Sequence, residues 1–313
     1  MLDKPGLRIL RSYAGALATT AMVVVVGAAA PAFHTVLTPG VTYTLHSSVL
    51  GQMTQAAGDT AWTAHVAWGA GRGRMDIVSG GQKPMFAEGD YLLFDSTTYL
   101  VVHPASKTFS TAPDMSGKNA SNEMSMMRDA MKVNDIKASI DTLEQGSTTV
   151  NGVRASHYRM HSSFTISIDF SALGAPADAT PPATTSESTI DMWFADEIES
   201  VPGPFMIGRA AEMPAFLGGM KPYFDRMQAL QATLPKHLVV RMSTATKIDG
   251  MANTIATNAS TEILDFKRGD VDVSRMALPA DYTQASMAGL EVFGPPATLA
   301  PETLAKWRSV PKG

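Results

Sequence analysis

The chain has 313 residues, with 25 basic and 29 acidic side chains, a net charge of -4, no cysteine and 20 methionines. So even a balance, with no basic run, argues against a nucleic-acid partner. The missing cysteine excludes disulfides, thiolate metal sites, a cysteine nucleophile and a lipid-modified N-terminal cysteine.

The first 32 residues read as a cleaved export signal. Lys4, Arg8 and Arg11 form a positive region, an apolar run follows around Val23 to Val26, and Ala30-Pro31-Ala32 gives a small-x-small cleavage pattern. An uncleaved anchor is the competing reading, because the apolar run is just long enough to span a bilayer. Either way the chain is expected to be exported, and after cleavage to be periplasmic or extracellular and soluble.

From Val41 the apolar residues alternate. Val41, Tyr43, Leu45 and Val49 share one face, and Trp62, Ala64, Val66 and Trp68 share another. Turn signals recur every eight to twelve residues through His103, the spacing of an antiparallel meander. Ser121 then stands as an N-cap for a helix through Met124, Met127 and Met131, spaced i, i+3 and i+7. Strand patterning returns at Ile136, and Asn151-Gly152 is a two-residue hairpin turn.

The stretch 155–170 alternates most clearly. Tyr158, Met160, Phe164, Ile166, Ile168 and Phe170 lie on one face, and His157, Arg159, His161, Thr165 and Asp169 on the other. At about 3.3 Å per residue it would run about 50 Å, far beyond an ordinary strand, so it must bend or twist around something. Ile190, Met192 and Phe194 repeat the pattern, a helix with Tyr223, Phe224, Met227 and Leu230 on one stripe follows over 221–234, and two long strands come next. In the first of these Val240 and Met242 are expected to point the same way, and Asp249-Gly250 is expected to be the turn into the second. The fold class predicted is mainly β: a large curved antiparallel sheet, an unclosed half-barrel, with two amphipathic helices as a lid. One domain is expected over 33–285, with 286–313 a peripheral tail.

Motifs for chemistry are missing. There is no Gly-x-Ser-x-Gly elbow, Walker loop or His-Glu-x-x-His, and nothing calls for a cofactor or metal. His157 and His161 share a strand face but stand about 13 Å apart, too far to chelate one ion, and are read as exposed.

The exported N-terminus, the hairpin at Thr149-Val150-Asn151-Gly152 feeding the strand of Tyr158, the segment Asp191-Met192-Trp193-Phe194 and the closing Leu278-Pro279-Ala280-Asp281-Tyr282 form one pattern. Over about 41–282 that pattern resembles the lipoprotein-carrier (LolA-like) superfamily of bacterial envelope proteins. Two departures are Asp281 in place of a glycine and Leu234-Pro235-Lys236 in place of a small-residue turn. The resemblance implies an incomplete barrel with a helical lid around an apolar cavity for acyl chains. The basic cavity residue of true carriers has no counterpart here, because Arg159 and Arg241 fall on the polar side.

The functional expectation is a non-catalytic protein binding a lipid or acylated ligand, with an envelope protein as a further partner. Tyr158, Met160, Phe164, Ile166, Met192, Phe194, Val240 and Met242 would line the pocket, and Met127, Met131, Phe224 and Met227 the lid. Methionine suits a surface that must accept variable apolar shapes, and suits an irregular packed core equally well. Two alternatives stay open: a structural or interaction module with a filled core, and an envelope hydrolase built on His65, Asp76 and His103.

Overall fold

The computed structural model describes residues 35–51, 61–82, 85–111, 131–168, 183–201, 220–250, 254–286 and 298–312, all within the unit Thr35–Gly313. The export signal, most of the helix expected over 121–131, and Met127 with it, lie outside these residues. Among the described residues no helix is long and apolar enough to cross a membrane.

The described chain forms one large, unclosed sheet. Its first part is a meander: β1 (Leu37–Gly51), β2 (Trp62–Gly69), β3 (Arg72–Gln82), the short β4 (Phe86–Ala87), β5 (Tyr91–Phe94), β6 (Tyr99–His103) and β7 (Thr108–Thr111). Its second part has longer strands: β8 (Met131–Val150), β9 (Val153–Ile168), β10 (Thr184–Glu199), β11 (His237–Asp249) and β12 (Ile255–Asp272). A two-residue β13 (Thr283–Gln284) completes it. The order is β13-β7-β6-β5-β3-β2-β1-β12-β11-β10-β9-β8, with β4 on β3. Neighbours are antiparallel except for β13 on β7, which run parallel and make the sheet mixed. Two helices accompany it, α1 (Lys221–Gln231) and α2 (Pro301–Arg308).

The seam between the two parts is β1 on β12, paired from Leu37↔Asp272 to Gly51↔Thr257. The β8–β9 turn forms at Asn151-Gly152 as expected: both have positive φ, 50° and 82°, and Val150 pairs with Val153. The other expected tight turn differs. The β11–β12 ladder ends at Ile248↔Ile255, so Asp249-Gly250 is not a two-residue turn, and Asp249 instead pairs with Thr185 on β10. Met131, expected on a helix, opens β8 instead.

Curvature shows in one hydrogen bond. The Asn151 side-chain amide, at the turn into β9, donates to the Ile263 carbonyl at 2.9 Å, although β10 and β11 intervene between β9 and β12. Three strand spacings would put them about 14 Å apart on a flat sheet. The sheet bends, and β11 leaves β12 after Arg241↔Glu262, which frees that carbonyl for Asn151. One core then joins the meander (Tyr43, Val66, Met75, Leu92) to the ends of the long strands (Val150, Ala155, Leu238, Val240).

The C-terminal segment is docked. Pro301 starts α2, Glu302 lies in its first turn and Lys306 and Arg308 in its last, matching the helix dipole at both ends. Trp307 is 0% exposed and packs with Tyr91, Leu93, Leu100 and Phe109. The Arg72 guanidinium donates to the carbonyls of Lys306 (2.6 Å) and Ser309 (2.7 Å) and lies over the Trp307 ring. The expectation of a peripheral tail missed this because one tryptophan, close to the end of the chain, carries no periodicity to read.

Candidate functional site

The two faces of β8–β11 carry different chemistry. The even side chains of β9 and β10 face α1. Met160 is 1% exposed, Met192 0%, Phe194 6% and Met227 of α1 7%. These four form a cluster of their own, with Tyr158, Ile190, Tyr223, Val239 and Met242 packed against it. Burying each large side chain contributes about 1.5–3 kcal/mol, so this patch is what holds α1 to the sheet.

Polar anchoring of α1 is slight. The Tyr223 hydroxyl meets Ser162 Oγ at 3.3 Å, and Arg226 donates to the Ala138 carbonyl at 3.4 Å. No side chain caps the helix at Met220, and its first turn holds Lys221 and no acid. That places a positive charge at the positive end of the dipole. Eleven residues are fewer than an isolated helix needs for stability in water. α1 therefore depends on its methionine-lined seat.

The residues expected to line a pocket are distributed as follows. Met160, Met192, Phe194 and Met227 are the buried centre, with Tyr158 edge-on to Phe194 at 5.5 Å. Phe164 lies against Tyr223 at 4.4 Å, and Phe224 stands edge-on to Tyr223 at 5.5 Å. Ile166 is half-buried further along β9, opposite Thr184. Val240 does not join Met242. Trp193 pairs with Arg241 and Phe194 with Val239, so Val240 is an extra residue in β11. The bulge reverses the alternation: Val239 takes the place beside Met242, and Val240 enters the main core.

The opposite face is polar and built in cross-strand rows. Asp191 lies at the centre of one cluster. Arg159 Nε donates to its Oδ1 at 2.8 Å and a second guanidinium nitrogen to Oδ2 at 3.1 Å, while His157 Nε2 is 2.8 Å from Oδ1. Burial pushes the Asp191 pKa up, but these partners outweigh it and hold the carboxyl below its ordinary value. The guanidinium of Arg241 lies over Trp193 and pairs with Glu262. His157, expected to be exposed, is thus bonded, and its ring also stacks on Trp193; the signal was Asp191, two positions before Trp193, which is the cross-strand neighbour of His157. His161 is exposed, with Nδ1 3.1 Å from the Thr189 hydroxyl.

This face carries an open hollow of about 580 Å³, lined by Lys137, Ser139, His161, Glu187, Thr189 and Lys247 among others. A second hollow of about 200 Å³ adjoins it and shares Thr189, Ala245 and Asn258.

The residues of the hydrolase reading have separate partners. Asp76 is held by Arg74 and Arg275, His103 lies 3.0 Å from Asp90, and His65 meets Thr44.

No family model and no curated protein matches the chain. Solved structures similar to it include the Mycobacterium tuberculosis lipoprotein LppX, at 11% identity over 72% of this chain and 85% of that one, with a TM-score of 0.26. An uncharacterized conserved protein from Thermus thermophilus is 7% identical over 78% and 90%, with a TM-score of 0.29. A LolA superfamily protein from Nitrosomonas europaea is 7% identical over 74% and 87%, with a TM-score of 0.27.

Proposed function

We propose that the chain is an exported, non-catalytic binding protein that holds a lipid or other apolar chain on the sheet face beneath α1. The observation that carries this reading is the methionine cluster in which Met227 of a short, weakly capped helix packs on Met160, Met192 and Met242 of the sheet. Unbranched thioether side chains can re-pack around an apolar guest when α1 lifts. A partner in the envelope would deliver or receive that guest.

Burial of Met160 and Met192 favours a second reading, a structural module whose core is already filled. One experiment separates the two. The full chain is titrated with a fluorescent fatty acid while hydrogen exchange is followed in α1, and native mass spectrometry is run on protein taken from cell envelopes. The binding reading expects stoichiometric uptake, a co-purified lipid and altered exchange confined to 220–231 and the facing strands. No uptake, no bound lipid and α1 amides as protected as those of β9 and β10 would establish the filled module.

A further inference from the structure

We infer that the polar face of β8–β12, opposite α1, is a second binding site, for a short, neutral, hydroxyl-rich chain such as an oligosaccharide. The strand registers define its floor. Ser139, His161, Thr189, Ala245 and Asn258 stand side by side on five successive strands. All but His161 are short, so the sheet is thin along this row. The hollow also touches Ala138, Ser162, Ser188 and Thr246, whose side chains belong to the α1 side by alternation.

Charged residues form the walls, in alternating sign. On one side Lys137, Glu187 and Lys247 lie in a row broken only by Ser163. On the other, Asp141, Arg159 and Asp191 follow one another in the row beyond the floor, and of these Asp191 lines the smaller hollow. An apolar guest would strand these groups without water. A densely charged guest of either sign would meet repulsion from one member of each wall. Neutral hydroxyls accept from lysine, donate to carboxylates, and match the Ser139, Thr189 and Asn258 side chains on the floor. Five strands at about 4.8 Å spacing give the row a length of about 19 Å, which suits an extended oligomer lying across the strands. With about 580 Å³ in the main hollow alone, there is room for it.

The test is nuclear magnetic resonance mapping and calorimetry on the full chain with four probes: chitotetraose, maltotetraose, tetragalacturonate and tetralysine. The expected result is a Kd below about 1 mM for at least one neutral sugar, with shifts centred on Thr189, Ala245 and Asn258. The Ala245→Trp variant, which fills the floor from an exposed position, should weaken that binding at least about tenfold. Fatty-acid uptake by the same variant should not change, so failure here is distinct from failure beneath α1. Binding of only a charged probe, shifts elsewhere, or no binding by either sugar would overturn the assignment. The wild-type map stands as the deciding measurement should Ala245→Trp unfold.

Discussion

The imidazole of His157 lies flat on the indole of Trp193, with ring centroids 4.2 Å apart and planes 10° from parallel. The stack is held from one side, because Asp191 bonds both His157 and Arg159. Removing that carboxylate should therefore loosen three side chains at once.

Asp191→Asn is expected to destabilise the fold by about 1–3 kcal/mol at neutral pH, read by urea denaturation. The pH dependence has a defined sign. A carboxyl whose folded pKa is depressed contributes stability that is complete above its ordinary value of 3.8 and is lost as pH falls through the folded value. The gap between wild type and variant should therefore be constant above about pH 5 and close below about pH 4. A gap unchanged down to about pH 2 would contradict the assignment.

Trp307→Ala should cost about 3–5 kcal/mol, as for other buried aromatic truncations, and should expose residues 298–312 to proteolysis. Lys306 adds to this anchor by pairing with Asp95 at 3.0 Å. Burial works against the charge on Asp95, but the Thr97 and Thr98 backbone amides and Lys306 hold its pKa low. Protection of the C-terminal segment should accordingly fade in acid and persist at neutral pH. A wild-type melting profile kept by Trp307→Ala would show that the docking is incidental.

Gly73 and Gly71 make a sharp comparison. A Cβ at Gly73 would run into the Phe94 ring, whereas at Gly71 it would meet nothing but would sit at φ +72°. Gly71→Ala is expected to cost about 1–2 kcal/mol from backbone strain. Gly73→Ala must displace a buried ring in the main core, and should cost at least as much, about 1–3 kcal/mol, with a change in the near-ultraviolet signal that Gly71→Ala lacks. Thermal melts and circular dichroism decide it.

Two methionines of one cluster should behave differently on truncation. Met192→Ala cuts into the sheet and is expected to lower global stability by about 2–5 kcal/mol. Met227→Ala should mainly speed hydrogen exchange within 221–231 and leave exchange in β9 and β10 nearly as it was, since α1 is the less stable unit. Equal effects on both regions would mean that α1 opens only when the whole sheet does.

Local patterning was legible where one residue decides one feature. Asn151-Gly152 gave the β8–β9 turn, and the alternation from Tyr158 to Phe164 gave the face that meets α1. Val240 was not legible, because the bulge that reverses β11 depends on how Trp193 and Phe194 register against it, and nothing near Val240 marks it. His157 was not legible for a related reason: its partner Asp191 lies on the next strand, so the pair exists only once the register is set. The docking of Trp307 and the meeting of Asn151 with Ile263 are long-range in the same sense.

The β1–β12 seam has a kinetic consequence. Leu37 and Asp272 are direct neighbours in the sheet though separated by more than two hundred residues, while the strands from β2 to β7 are joined by short turns. The first meander can assemble early from local contacts, but each part keeps an unpaired edge until the seam closes late in folding. During that interval β1 and β12 are the strands most open to pairing with another copy. Refolding should then slow and lose yield as protein concentration rises, even though the finished sheet hides both edges.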